Sequence, residues 1–131
     1  MATMNNPNGI TIHACKYGVK ETIDRLQASL TAKGVKIYAR INQQDELQQV
    51  GQTIPPLEFI LFGNPKAGGP VMAESPVAAL DLPLKIVAWE DEQKKVWLAY
   101  NEAGYVQRRF SLSDAVVRPL HLEGLVAEVV L

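Results

Sequence analysis

His13 and Cys15 stand two positions apart in the alternating stretch Ile10 to Cys15, so a strand places both side chains on one face. That pairing can ligate a soft metal or set a thiolate beside a base. A closed metal site takes more ligands, and the chain offers one further histidine, His121, and no second cysteine. No metal and no cofactor is therefore expected, and Cys15 reads more simply as a small half-buried residue beside a surface histidine. Glu58 interrupts the apolar run Leu57 to Phe62. It either meets solvent at an edge or sits in a pocket that raises its pKa. Convergence of Glu58 with Arg40, Lys85 and Tyr100 would build a pocket for a small polar or amphipathic molecule.

Gly63-Asn64-Pro65-Lys66-Ala67-Gly68-Gly69 has the glycine spacing of a phosphate loop, but Gly69 occupies the lysine position and no Ser or Thr follows. Nucleotide hydrolysis of that type is excluded. A looser anion nest with Lys66 as counter-charge fits the same residues. The simpler reading is a structural turn, with Asn64 held extended by Pro65. Asp81 and Lys85 flank Pro83, where they form an ion pair, a cap or a grip on a polar ligand. Tyr100 and Asn101 close a strand nearby. Asn64, Lys66, Asp81, Lys85, Tyr100 and Asn101 are thus the ligand-binding candidates. No catalytic set is assigned, because no nucleophile, base and orienting group fall at recognisable spacings.

The elements that must position these residues follow from periodicity. Val19, Ile23, Leu26 and Leu30 form one stripe of a helix that Lys33-Gly34 stops. From Val35 to Asn42, an apolar face (Val35, Ile37, Ala39, Ile41) alternates with a polar one (Lys36, Tyr38, Arg40, Asn42). Asn42 caps a short helix to about Val50. Leu57 to Phe62 reads as a central strand covered on both faces, with breaks at Gly63-Asn64-Pro65 and Gly68-Gly69-Pro70. One or two helical turns within Val71 to Leu80 are interrupted by Pro76. Pro83 to Glu90 and Lys95 to Asn101 form a hairpin. Ser113 is a candidate cap, and the apolar stretch Leu120 to Leu131 docks as a helix. The predicted fold is α+β: a mostly antiparallel sheet with helices on one face, in the order β-α-β-(α)-β-(α)-β-β-α. Residues 1–8 are expected to be a flexible segment and 9–131 a single domain.

Both faces of the hairpin are apolar. Leu84, Ile86 and Ala88 oppose Val87 and Trp89 on the first strand; Val96, Leu98 and Tyr100 oppose Trp97 and Ala99 on the second. Helices cover one face, and a second copy of the chain is the simplest cover for the other. A homodimer through Trp89 or Trp97 is expected. The 131 residues carry 13 basic and 14 acidic side chains, for a net charge of −1, which gives no electrostatic reason to bind nucleic acid. No apolar run nears a membrane span. With one cysteine and no secretory leader pattern, a cytoplasmic location is expected.

Ile54-Pro55-Pro56, Phe62-Gly63-Asn64-Pro65-Lys66, Leu80-Asp81-Leu82-Pro83-Leu84-Lys85, Trp89-Glu90-Asp91, Val96-Trp97-Leu98 and Tyr100-Asn101 together resemble the bacterial family catalogued as domain of unknown function 302. Upstream, Lys20 to Leu26 and Ala39 to Asn42 also fit, so the resemblance spans roughly residues 10–110. It implies an α+β fold similar to the TATA-binding-protein architecture, usually dimeric, with no agreed activity. The chain departs from that pattern at Gly68-Gly69-Pro70, where a threonine commonly precedes the proline, and at Gln93-Lys94, which replaces a turn glycine. It departs again at Glu102-Ala103-Gly104, which replaces aspartate-proline. The function expected is a homodimeric module that binds a small molecule or protein partner without catalysis. The alternative is a small enzyme using Glu58, or Cys15 with His13.

Overall fold

A computed structural model describes the backbone of residues 3–5 and 8–131, and the side chains from Asn8 onward. Residues 1, 2, 6 and 7, part of the segment expected to be flexible, lie outside the described residues. Within that segment Thr3–Asn5 (β1) runs as a short strand beside Ile10–Cys15 (β2). The chain continues through Val19–Ala32 (α1), Lys36–Asn42 (β3), Gln43–Gln48 (α2), Leu57–Gly63 (β4) and Pro65–Glu74 (α3). After a 3-10 turn at Pro76–Leu80 come Leu84–Glu90 (β5), Val96–Asn101 (β6), Ala103–Phe110 (α4), Asp114–Val117 (α5) and Glu123–Val129 (α6).

Six antiparallel strands form one sheet in the order β1-β2-β6-β5-β4-β3. The α+β architecture with helices on one side is the one the periodicity predicts. β2 and β3 lie far apart in the sheet, so α1 crosses its inner face to join them. The stripe Val19, Ile23, Leu26 and Leu30 is buried there against Ile60, Ile86 and Leu98. Gly34, at φ +77°, turns the chain out of the helix in a conformation that a Cβ disfavours. α6 closes the same core with Leu122, Val126 and Val130. A second core sits at one end of the sheet, where Val71, Ala78, Val106, Phe110, Val117 and Leu120 meet.

The structure corrects three expectations. β3 does not keep one apolar face, because a bulge between Ile37 and Ala39 shifts the register. Ile37 and Arg40 then point to the helices, while Ala39 and Ile41 point away. β4 is not covered on both faces: Glu58, Ile60 and Phe62 are buried, whereas Leu57, Phe59 and Leu61 are only half-buried on the helix-free side. Gly68-Gly69-Pro70 is not a break but the middle of α3. Pro70 forfeits one helical donor there, and buried Val71 anchors the turn in the second core. α4 is an element the periodicity reading lacks; Val106 and Phe110, four apart, are its buried stripe. Its start is fixed by Gly9, whose φ is +75° and where a Cβ would lie 2.2 Å from the Tyr105 ring. The Gly9 carbonyl also accepts from the Glu102 amide.

Candidate functional site

The ring of groups proposed around Glu58 splits. Glu58 is buried, and Arg40 donates to it from the adjacent strand while also donating to Asp24 (2.7 Å) and Gln27 (3.0 Å) on α1. The bulge in β3 turns Arg40 inward to meet that carboxylate. The Arg40 guanidinium is desolvated, but Glu58 and Asp24 hold it charged, with its pKa raised. Hydrogen bonds from Lys20 and Arg40 lower the pKa of Asp24. This is a closed structural network. Lys85 lies on the opposite face of the sheet, its ammonium 4.5 Å from the Phe59 ring. Tyr100 faces the helices but bonds His13, with 3.1 Å between its hydroxyl and Nε2.

His13 and Cys15 do share the inner face of β2, but the imidazole reaches Tyr100, and the thiol lies 4.0 Å from the His13 carbonyl. Burial pushes the Cys15 thiol up to about 11. Burial lowers the His13 pKa, with Glu123 opposing. A neutral thiol and a neutral imidazole aimed elsewhere do not make a nucleophile and base.

Two hollows flank the segment Leu82-Pro83-Leu84. The smaller, of about 320 Å³, brings Asp81, Lys85 and Asn101 together at one end of β5 and β6. Asp81 closes the 3-10 turn, its amide donating to the Ala78 carbonyl at 3.0 Å, but it does not pair with Lys85: both its carboxylate oxygens accept from Arg109 Nη1 at 3.1 Å. The larger is a cleft of about 530 Å³ on the helix side. Leu30, Phe62, Met72, Leu84, Leu120 and Leu125 wall it, and Lys33, Tyr38, Asn64 and His121 supply its polar side chains. Asn64 caps α3, accepting from the Lys66 amide at 3.0 Å, so the Gly63 to Gly69 stretch is a strand-to-helix turn at the cleft margin. Lys66 does not line either hollow. The six ligand-binding candidates therefore fall in different places: Asn64 at the cleft, Asp81, Lys85 and Asn101 at the smaller hollow, Tyr100 inside the sheet layer. Sequence reasoning missed the cleft because its walls come from α1, β4, α3 and the tail, with no local pattern linking them.

Trp89 and Trp97 are directly opposed across the hairpin on the helix-free face. Trp97 donates its indole N–H to Asp91 at 2.9 Å, and Lys95 lies over its ring. Hydrogen bonds from Trp97, Lys95 and Gln93 lower the Asp91 pKa and pin the turn. With Leu57, Phe59, Leu61 and Val87 these indoles form an apolar plane that belongs to neither core.

An antiparallel sheet with helices on one face, an apolar plane on the other and a cleft at the helix-side margin defines the class: an open-faced α+β sandwich. Residues 11–121 match the family described as Domain of unknown function DUF302, and the chain belongs to that family. A crystal structure of an uncharacterized conserved protein DUF302 from Bacillus stearothermophilus shares the fold, with a TM-score of 0.75 at 20% identity over 92% of this chain and 94% of that one. The chain is also 32% identical over 123 residues to proteins named Fluoride-specific ion channel FluC 1 from Brucella suis biovar 1 and Brucella abortus biovar 1. The match takes in 92% of this chain but 48% and 45% of those proteins, so the chain spans about half the length of these relatives.

Proposed function

We propose that this protein is a homodimeric binding module that works without catalysis, pairing through the open sheet face and holding a small molecule in the helix-side cleft. One observation carries the reading: the cleft is walled by apolar side chains and contains no paired nucleophile and base, while the chain's thiol and its buried carboxylate are occupied elsewhere. Six strands about 4.8 Å apart and about 20 Å long give roughly 600 Å² of projected sheet per subunit. A standard interface buries about 800 Å² of accessible, corrugated surface on each partner. A symmetric pair at this face leaves the cleft open, because the two lie on opposite sides of the sheet. A cytoplasmic location accords with the lone thiol. Native mass spectrometry of protein taken directly from its expression host tests the reading. The expected species is a dimer with a retained small molecule; a bare monomer contradicts it.

The half-length match favours a second reading, of context. The fold serves as a unit attached to, or acting beside, a fluoride channel, and conduction resides in the half of those relatives that this chain does not match. Among the described residues no helix is long and apolar enough to cross a membrane, and the sheet is open at β1 and β3 instead of closed as a barrel. Liposomes carrying this chain alone are expected to show no fluoride flux, and flux above empty liposomes contradicts that assignment.

A further inference from the structure

We infer that the helix-side cleft takes a single-chain amphiphile with an anionic head, a medium-length alkyl carboxylate, an assignment that rests on the binding reading above and names its ligand class. The volume of about 530 Å³ equals roughly 18 groups of the ~30 Å³ that a water takes in the liquid, room for a chain of about a dozen methylenes together with its head. Leu30, Phe62, Met72, Leu84, Leu120 and Leu125 give the cleft a mostly apolar wall, which favours a ligand whose bulk is hydrocarbon. The polar side chains at the lining are Lys33, Tyr38, Asn64 and His121, with no Asp or Glu among them. With no carboxylate on the lining, an anion is the charged head it can take, and Lys33, the one Lys or Arg on it, is the residue that would turn to meet it.

Lys33 now pairs with Glu128 at 3.1 Å, outside the cleft lining, with both side chains about half exposed or more. An exposed pair of this kind is weak, so a carboxylate head can replace Glu128 as the lysine's partner at little cost. His121 lies 3.8 Å from Glu123 in a similarly exposed pair. Met72 is exposed at the margin, and its unbranched thioether adapts to chains of differing length.

The experiment is displacement of 11-(dansylamino)undecanoic acid by dodecanoate, dodecanol and dodecyltrimethylammonium, followed by dansyl fluorescence, with the subunit mass measured on the same samples. Dodecanoate should displace the probe saturably, and the cationic analogue should be at least about tenfold weaker. Lys33→Glu should lose about tenfold for dodecanoate and little for dodecanol. Met72→Trp, a substitution at an exposed position that fills the margin, should abolish saturable binding of the probe itself while leaving circular dichroism unchanged. Equal affinity for anionic and cationic heads overturns the head-group assignment. Absence of saturable probe binding to a folded dimer overturns the ligand class while leaving the assembly intact; a monomer that still binds dodecanoate does the reverse.

Discussion

At the scale of single residues, Cys15 and Glu58, the nucleophile and the carboxylate that the sequence offers, are each held in the packed interior, the first as a thiol and the second against Arg40. Burial favours the neutral Cys15 thiol, so its thiolate fraction at neutral pH is about a hundredfold below that of a free cysteine. Alkylation by iodoacetamide at pH 8 should be slower by about that factor in the folded protein, and a rate equal to that of the urea-unfolded chain contradicts this. Cys15 and Tyr100 together set an alkaline limit. Burial also pushes the Tyr100 hydroxyl to about 12, with Glu123 and Glu102 adding to the rise. Both groups are held protonated, so above their unfolded values of 9.0 and 10.0 the native state binds more protons than the unfolded one. Their contribution is complete below about pH 9 and is lost as pH climbs through 11 and 12. The urea midpoint should fall across that window, and Cys15→Ala should remove the earlier part of the fall. Glu58→Ala leaves Arg40 without its buried partner. The cost should be on the order of 3 kcal/mol by urea unfolding, at the low end for a broken buried pair because Asp24 and Gln27 remain. A change under about 0.5 kcal/mol would mean that the pair contributes nothing.

At the scale of elements, the hairpin turn explains one departure from the family pattern. Gln93-Lys94 replaces the usual turn glycine, and Lys94 adopts φ +67°. A left-handed residue with a Cβ is strained by about 1 kcal/mol, partly offset by the lower unfolded entropy of lysine relative to glycine. Lys94→Gly should therefore raise stability by a few tenths of a kcal/mol up to about 1 kcal/mol, read as a shift of the urea midpoint at constant slope; a loss of stability contradicts the turn geometry. α1 was legible from its stripe at helical spacing, and β4 and the β5–β6 hairpin as apolar runs bounded by turn residues, although which face of β4 is buried was not. β3 misled because a bulge leaves no mark in its alternation: Val35, Ile37, Ala39 and Ile41 look continuous, and only the buried charge of Glu58 hinted that Arg40 must turn inward. Gly68-Gly69-Pro70 misled because local propensity favours a break, while Val71 and its tertiary contacts hold the helix together. The candidate site was the least legible part. Asp81, Lys85 and Asn101 do gather at one hollow, but the walls of the larger cleft come from segments up to about ninety residues apart in sequence.

At the scale of the whole molecule, the sheet has two unlike faces. One is closed by α1 and α6 over Ile60, Ile86 and Leu98. The other carries Trp89 against Trp97 with Phe59 and Val87 beside them, partly shielded by the stems of Lys85 and Lys95. That plane is the proposed seat of a second copy, and its position opposite the cleft allows pairing and ligand binding to proceed together. Sedimentation velocity over a hundredfold range of micromolar concentration, on the native chain and on Val87→Glu, tests this most directly. The native chain should sediment at twice its 14.4 kDa mass. Val87→Glu, which sets two carboxylates against each other at a symmetric interface, should sediment as a folded monomer. A native chain that stays at 14.4 kDa throughout, with unchanged tryptophan emission on dilution, would contradict the account.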